Sequence, residues 1–183
     1  MHPSDLISGL QTLRFIPTPD GELYTNQIFR SSVHVIDSSL FVRCMFEDCG
    51  PTDEGAIVSS GPNRLCVADS DFRRCSSNTK CGGLKKTEGS LVMRCSVFEE
   101  CYGVNGDTNY YGTAMGASDC AVGCEDITFA KCWRQESPFA DNTYGIVRGT
   151  ADVRRINVTQ CVSRGGGLSG CFLSVGEDSS ISF

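Results

Sequence analysis

Histidine is almost missing from this chain: 183 residues contain only His2 and His34. Imidazole is the commonest general base and a frequent zinc ligand, so triad chemistry and histidine-based metal centres have little to work with. Basic charge is also short, with 16 Lys and Arg against 22 Asp and Glu, a net charge of −6 and no basic stripe. Nucleic acid is therefore excluded as the expected partner, because phosphate binding depends on clustered cations. No apolar run approaches the roughly 18 residues that a membrane-spanning helix needs. The opening Met1-His-Pro-Ser-Asp-Leu6 lacks the basic start and apolar stretch of a secretory signal. Good helix formers in long periodic stretches are scarce, and the apolar stretches, such as Leu40-Phe-Val42, Leu65-Cys-Val67 and Leu91-Val-Met93, are three or four residues long. Short strands with frequent corners fit that pattern, and helical repeats do not.

What the chain does have is 12 Cys, 20 Gly and an internal repetition. Five segments share one form: Cys44-Met-Phe46-Glu-Asp-Cys49, Ser70-Asp-Phe72-Arg-Arg-Cys75, Ser96-Val-Phe98-Glu-Glu-Cys101, Ile127-Thr-Phe129-Ala-Lys-Cys132 and Ile156-Asn-Val158-Thr-Gln-Cys161. The aromatic or Val positions 46, 72, 98, 129 and 158 are separated by 26, 26, 31 and 29 residues. Periods of that size are those of repeats built from one supersecondary unit. Glycines after each Cys, at Gly55, Gly83, Gly112, Gly145 and Gly167, provide a second anchor in every unit.

These features predict an all-β protein: a single right-handed parallel β-helix of about five to six coils over residues 23–183, preceded by an N-terminal cap over 1–22. In the cap, Leu6, Ile7, Leu10 and Leu13 fall on one face of a short helix. Equivalent positions of successive coils stack at about 4.8 Å. Phe46, Phe72, Phe98, Phe129 and Val158 are then expected as an internal ladder, with Cys49, Cys75, Cys101, Cys132 and Cys161 as a second beside it. The residues between those anchors read Glu47, Arg73, Glu99, Ala130, Thr159 and Asp48, Arg74, Glu100, Lys131, Gln160. Acid meets base from one unit to the next, as in-register parallel stacking favours.

The Phe-x-x-Cys form with a downstream Gly-Ala-Ile-like segment resembles the repeat of the polymorphic outer membrane proteins, and is similar to Cys-bearing right-handed β-helix families of some parasitic protists. The matching pieces are Phe46-Glu-Asp-Cys49 with Glu54-Gly-Ala-Ile57, Phe72-Arg-Arg-Cys75 with Gly82-Gly-Leu84, and Phe98-Glu-Glu-Cys101 with Gly112-Thr-Ala114. The resemblance spans roughly residues 39–170. It implies a β-helix with a surface, adhesive or scaffold role, while outer-membrane display is not implied.

Five cysteines at one repeating position are expected as buried thiols, since a disulfide framework has no reason to recur at a ladder position. Disulfides remain an alternative for Cys66, Cys81, Cys95, Cys120, Cys124 and Cys171. Cys44/Cys49, Cys95/Cys101 and Cys120/Cys124 are too widely spaced for a zinc knuckle, so no metal and no cofactor are expected. Asp69, Asp71, Arg73 and Arg74 form the densest local cluster of charge, but their positions are corner positions, so no catalytic residue is assigned. Lys85-Lys86 reads as decoration of a solvated loop.

The longest insertions, Tyr102–Tyr111 and Trp133–Tyr144, fall on the same arc of adjacent units and are expected side by side. They hold Tyr102, Tyr110, Tyr111, Trp133, Phe139 and Tyr144 with Asn105, Asp107 and Asp141 interleaved. Aromatic anchors with polar neighbours on a rigid scaffold are the composition of a recognition surface. The sequence reading is thus a non-catalytic structural or protein-interaction module, alone or within a larger assembly. A protein partner, or a second copy, would meet it through the aromatic loops or the C-terminal end. The alternative is a carbohydrate-binding or carbohydrate-active β-helix. Buried thiols and no visible signal favour an intracellular location, with the cell surface as the expectation if the chain is a piece of a longer protein.

Overall fold

A computed structural model describes residues 21–50, 55–78, 81–103, 114–134, 144–147, 149–161, 173–175 and 180–182. Among them every regular element is a strand, and all the paired strands are parallel. The largest sheet has ten strands. Its main path runs Glu22–Thr25, Ser39–Val42, Arg64–Ala68, Ser90–Glu99, Ala121–Ala130, Thr150–Thr159 and Ser180–Ser182, in chain order. Ile28–Phe29, Met45–Glu47 and Asp71–Arg73 continue the early strands past a corner and pair along to Val97–Glu99. A second sheet holds Val33–Val35, Ile57–Ser60, Leu84–Thr87, Met115–Ser118, Tyr144–Val147 and Leu173–Val175, again in chain order. A third, narrow sheet joins Ser76–Ser77, Tyr102–Gly103 and Trp133–Arg134. Of the cap expected over residues 1–22, residues 1–20 lie outside the described residues, and Glu22 already belongs to the first strand.

The register follows the sequence pattern. Phe46 pairs with Phe72, Phe72 with Phe98, Phe98 with Phe129, and Phe129 with Val158. The four Phe rings are buried and stacked at centroid separations of 4.7, 4.5 and 5.0 Å, with Phe29 continuing the stack below Phe46 at 4.8 Å. Parallel in-register pairing places identical rings one strand spacing apart, and offset stacking adds to the free energy of burying them. Gly83 is required by this stack: a Cβ there would lie 2.6 Å from a ring carbon of Phe98 and from the carbonyl oxygen of Ala114.

The cysteines beside the rings have a polar task as well as an apolar one. Cys49, Cys75, Cys101, Cys132 and Cys161 each donate from Sγ to the main-chain oxygen of the aromatic one unit back, at 3.3–3.6 Å: Phe29, Phe46, Phe72, Phe98 and Phe129 in turn. A small side chain with a weak donor fills the corner and satisfies a carbonyl that Ala or Val would leave without that contact. No disulfide joins the described cysteines. Burial pushes the Cys101 thiol well above the ordinary thiol range. Ser70 and Ser96 do related work at the preceding corner, where Ser70 Oγ accepts from the Cys44 amide at 3.1 Å and Ser96 Oγ from the Ser70 amide at 3.3 Å.

Both corners of the large sheet turn through the left-handed region without glycine. Asn26, Arg43, Asp69, Cys95, Asp126 and Arg155 form one such column, with φ between 45° and 57°, and Asp48, Arg74, Glu100, Lys131 and Gln160 form the other, with φ between 51° and 55°. Each left-handed residue costs on the order of 1 kcal/mol, which the continuous ladders on either side offset. Charges of opposite sign meet at the second corner: Arg30 meets Glu47 at 3.1 Å, Arg74 meets Asp48 at 2.7 Å and Glu47 at 2.9 Å, and Lys131 meets Glu100 at 3.4 Å. These pairs are exposed, so they select register more than they supply stability.

Two sequence expectations are corrected. The glycine anchors do not all align, because Gly83 is in register with Ala56 and Ala114, and Gly145 with Gly116. Lys86 is not loop decoration; it occupies an inward position of the strand Leu84–Thr87 and is fully buried. The alternation of that strand puts Leu84 and Lys86 inside and Lys85 outside. Lys86 Nζ donates to Asn63 Oδ1 at 2.6 Å, the Gly61 carbonyl at 3.0 Å and the Thr87 carbonyl at 3.4 Å. All three ammonium protons thus have acceptors, which is what burying the group requires.

Candidate recognition surface

Tyr102 and Trp133 immediately follow ladder cysteines Cys101 and Cys132, so the wall of stacked thiols fixes where both side chains start. The Tyr102 amide donates to the Cys75 carbonyl at 3.0 Å, and the Trp133 amide to the Cys101 carbonyl at 3.3 Å. Tyr102 pairs directly with Trp133, and the two rings stack at 4.6 Å with planes 11° apart. Both are half-buried. The insertions expected to be neighbours therefore begin as neighbours. Asn105, Asp107, Tyr110, Tyr111, Phe139 and Asp141 lie outside the described residues. Tyr144 belongs to the second sheet, where it pairs with Met115 and Leu173, so the second insertion ends before it.

A second feature was not visible as a site in the sequence. The outer face of the large sheet carries an open groove of about 600 Å³ whose lining includes Arg64, Ser90, Val92, Gly123, Thr150 and Asp152. Gly123 forms open floor, since a Cβ there would meet nothing within 4 Å. The Arg64 guanidinium Nε is enclosed without a hydrogen-bond partner. Further along the same face Arg94 meets Glu125 at 3.4 Å, and Arg154 meets Asp152 at 2.7 Å. The only signal for this groove was the period-two alternation of Ser90–Arg94, Ala121–Glu125 and Thr150–Arg154, whose outward residues are small or polar.

The Asp69, Asp71, Arg73 and Arg74 cluster divides along the corner. Arg73 pairs with Asp71 at 3.0 Å, whereas Arg74 turns to Asp48 and Glu47 of the preceding unit. The Arg74 guanidinium holds the Asp48 carboxyl below the usual carboxylate range, and Arg30 with Arg74 does the same for Glu47. Such groups are engaged in register, each arginine already taken by a carboxylate. Among the described residues no cluster of His, Cys, Asp and Glu is arranged to hold a metal ion, and no helix is long and apolar enough to cross a membrane.

The chain matches no known protein-family model, no curated protein and no solved structure.

Proposed function

We propose that the three parallel sheets are the walls of one right-handed β-helix and that the protein is a non-catalytic structural or protein-interaction module. Its recognition surface is the pair of insertions rooted at Tyr102 and Trp133. The observation that carries this reading is the Tyr102–Trp133 stack: two large aromatics, held in register by backbone pairing, where two sequence insertions rich in Tyr, Phe, Asn and Asp begin. Preorganised aromatics lower the ordering cost of binding and supply most of the energy at interfaces. The edge strands Glu22–Thr25 and Ser180–Ser182 offer a route to self-assembly by strand addition.

The open groove favours carbohydrate as a second reading, because its lining mixes hydroxyls, an arginine and small apolar residues along an extended face. Photo-crosslinking separates the two. A photoreactive residue in place of Tyr110 should capture a protein in extract of the source organism, whereas one in place of Arg74 should not. Equal capture at both positions would overturn the assignment to the loops. Saturable binding or turnover of a soluble glycan, with no capture at position 110, would favour the groove.

A further inference from the structure

One guanidinium on the outer face of the large sheet has no carboxylate. Arg30, Arg73, Arg74, Arg94, Arg154 and Arg155 each meet an acidic side chain at 3.4 Å or less. Among the described residues Arg64 takes part in no such pair: its main-chain amide donates to Ser38 Oγ at 3.1 Å, and its Nε is enclosed without an acceptor. The charge bears instead on the Cys66 thiol, where it opposes the upward push of burial. Arginine does not give up its proton, so an enclosed donor there stays unmet until an acceptor draws the guanidinium to itself.

Arg64 belongs to the lining of the open groove of about 600 Å³. Backbone pairing sets Arg64, Ser90, Ala121 and Thr150 in one row across four neighbouring strands, and Val92, Gly123 and Asp152 in a second row two residues on. Between the rows Leu91, Val122 and Ala151 point inward and are buried. Three strand spacings make the first row about 14 Å long. The one carboxylate in the described lining, Asp152, is already held by Arg154 at 2.7 Å. The groove therefore keeps one uncompensated cation, in a chain whose net charge is −6. Beyond that cation the row offers the hydroxyls of Ser90 and Thr150 over a low floor of Ala121 and Gly123. A cation at one end selects an anionic group, and hydroxyls over small residues select a hydroxylated body.

We propose that this groove binds a sugar acid, free or as a unit of an acidic glycan, with Arg64 pairing its carboxylate and the row from Ser90 to Thr150 carrying the ring and its hydroxyls. The inference rests on the groove being a carbohydrate surface, and it names the class of sugar. A guanidinium offers a carboxylate two parallel N–H donors, Nε with one Nη, so the pair satisfies the donor that the protein leaves without an acceptor. A neutral sugar leaves it unmet, and sites with an unmet polar group reject such ligands strongly.

Titration of the full chain, followed through the amide resonances of Ser90, Gly123 and Thr150, tests this. The probes are glucuronate, galacturonate and mannuronate, each as monomer and trimer and each beside its uncharged methyl ester. At least one acid should shift those resonances saturably, with its ester bound at least tenfold more weakly; a monomer that binds as well as its trimer identifies the free sugar acid, and a trimer preference the glycan. Arg64→Gln should bring that acid down to the affinity of its ester and leave the ester unchanged. Gly123→Ile places its Cβ where nothing lies within 4 Å, so it fills the floor without a clash and should weaken acid and ester alike. Equal binding of acid and ester, or an acid preference that survives Arg64→Gln, would overturn the assignment to Arg64 while leaving a carbohydrate groove in place. If no probe shifts these resonances, the sugar acid and the carbohydrate reading of the groove fall together.

Discussion

Lys86 shows how much a single side chain can commit this fold to. Its ammonium sits among the Asn63 side-chain oxygen and the Gly61 and Thr87 carbonyls, and Asn63 in turn receives Ser59 Oγ at 3.0 Å and donates to the Ser60 carbonyl at 3.0 Å. One buried cation thereby ties together the turn at 61–63 and the strands on either side of it. Burial lowers the Lys86 pKa, while the Cys120 thiol and the Glu88 carboxylate act in the opposite direction. The Cys120 thiol is itself pushed up to about 11, chiefly by burial. Because the folded-state pKa of Lys86 is depressed, the unfolded chain binds more protons between that value and the ordinary lysine value of about 10.4. Its contribution to stability therefore rises with pH across that window and is constant below it. Chemical denaturation of wild type and Lys86→Met at several pH values should give a stability difference that shifts in favour of wild type as pH approaches about 10. A difference independent of pH would mean that Lys86 is solvated.

At the scale of elements, the ladders carry the stability and the corners carry the register. Phe98 sits between Phe72 and Phe129 with no exposed surface, and Gly83 leaves no slack against its ring. Phe98→Ala should therefore destabilise by about 3–5 kcal/mol, through lost transfer energy and a cavity that two flanking rings fixed by backbone pairing cannot fill. A melting temperature within a degree or two of wild type would place Phe98 at the surface. The Phe and Cys columns were legible in the sequence because each is one residue type at a fixed distance from the next, and the alternating corner charges were legible for the same reason. Lys86 was not, since Leu-Lys-Lys-Thr reads as a polar loop until its neighbours fix which face is inward. The misaligned glycines have a similar origin: Gly82-Gly83 offers two equal matches to Gly55, and only the pairing of Leu84 with Ile57 selects between them. Nor was the burial of the outer row Leu40, Val42, Cys66 and Ala68 legible, because a strand apolar on both faces carries no alternation.

Over the whole molecule, what repeats among the described residues faces inward or forms corner pairs, while the two longest departures from the repeat in the sequence start at Tyr102 and Trp133. Among the described residues, the ladder thiols, the stacked rings and the paired corner charges hold adjacent units in register. The Tyr102–Trp133 stack directly follows the ladder cysteines Cys101 and Cys132 in the chain, at the residues with which the two insertions begin in the sequence. That position allows either role, an anchor for a partner or an ordering contact for the loops, and the roles differ in what they do to stability. If the rings bind, Tyr110→Ala and Trp133→Ala should each weaken partner binding by about 2 kcal/mol or more. The melting temperature should then stay near wild type, because Trp133 is only half-buried and the enclosed Phe and Cys ladders are untouched. Calorimetric titration and thermal unfolding of each variant read both quantities. Unaltered binding with a markedly lower melting temperature would make the stack a structural clasp, and the open groove on the outer face of the large sheet would then be the surface on which to look for a ligand.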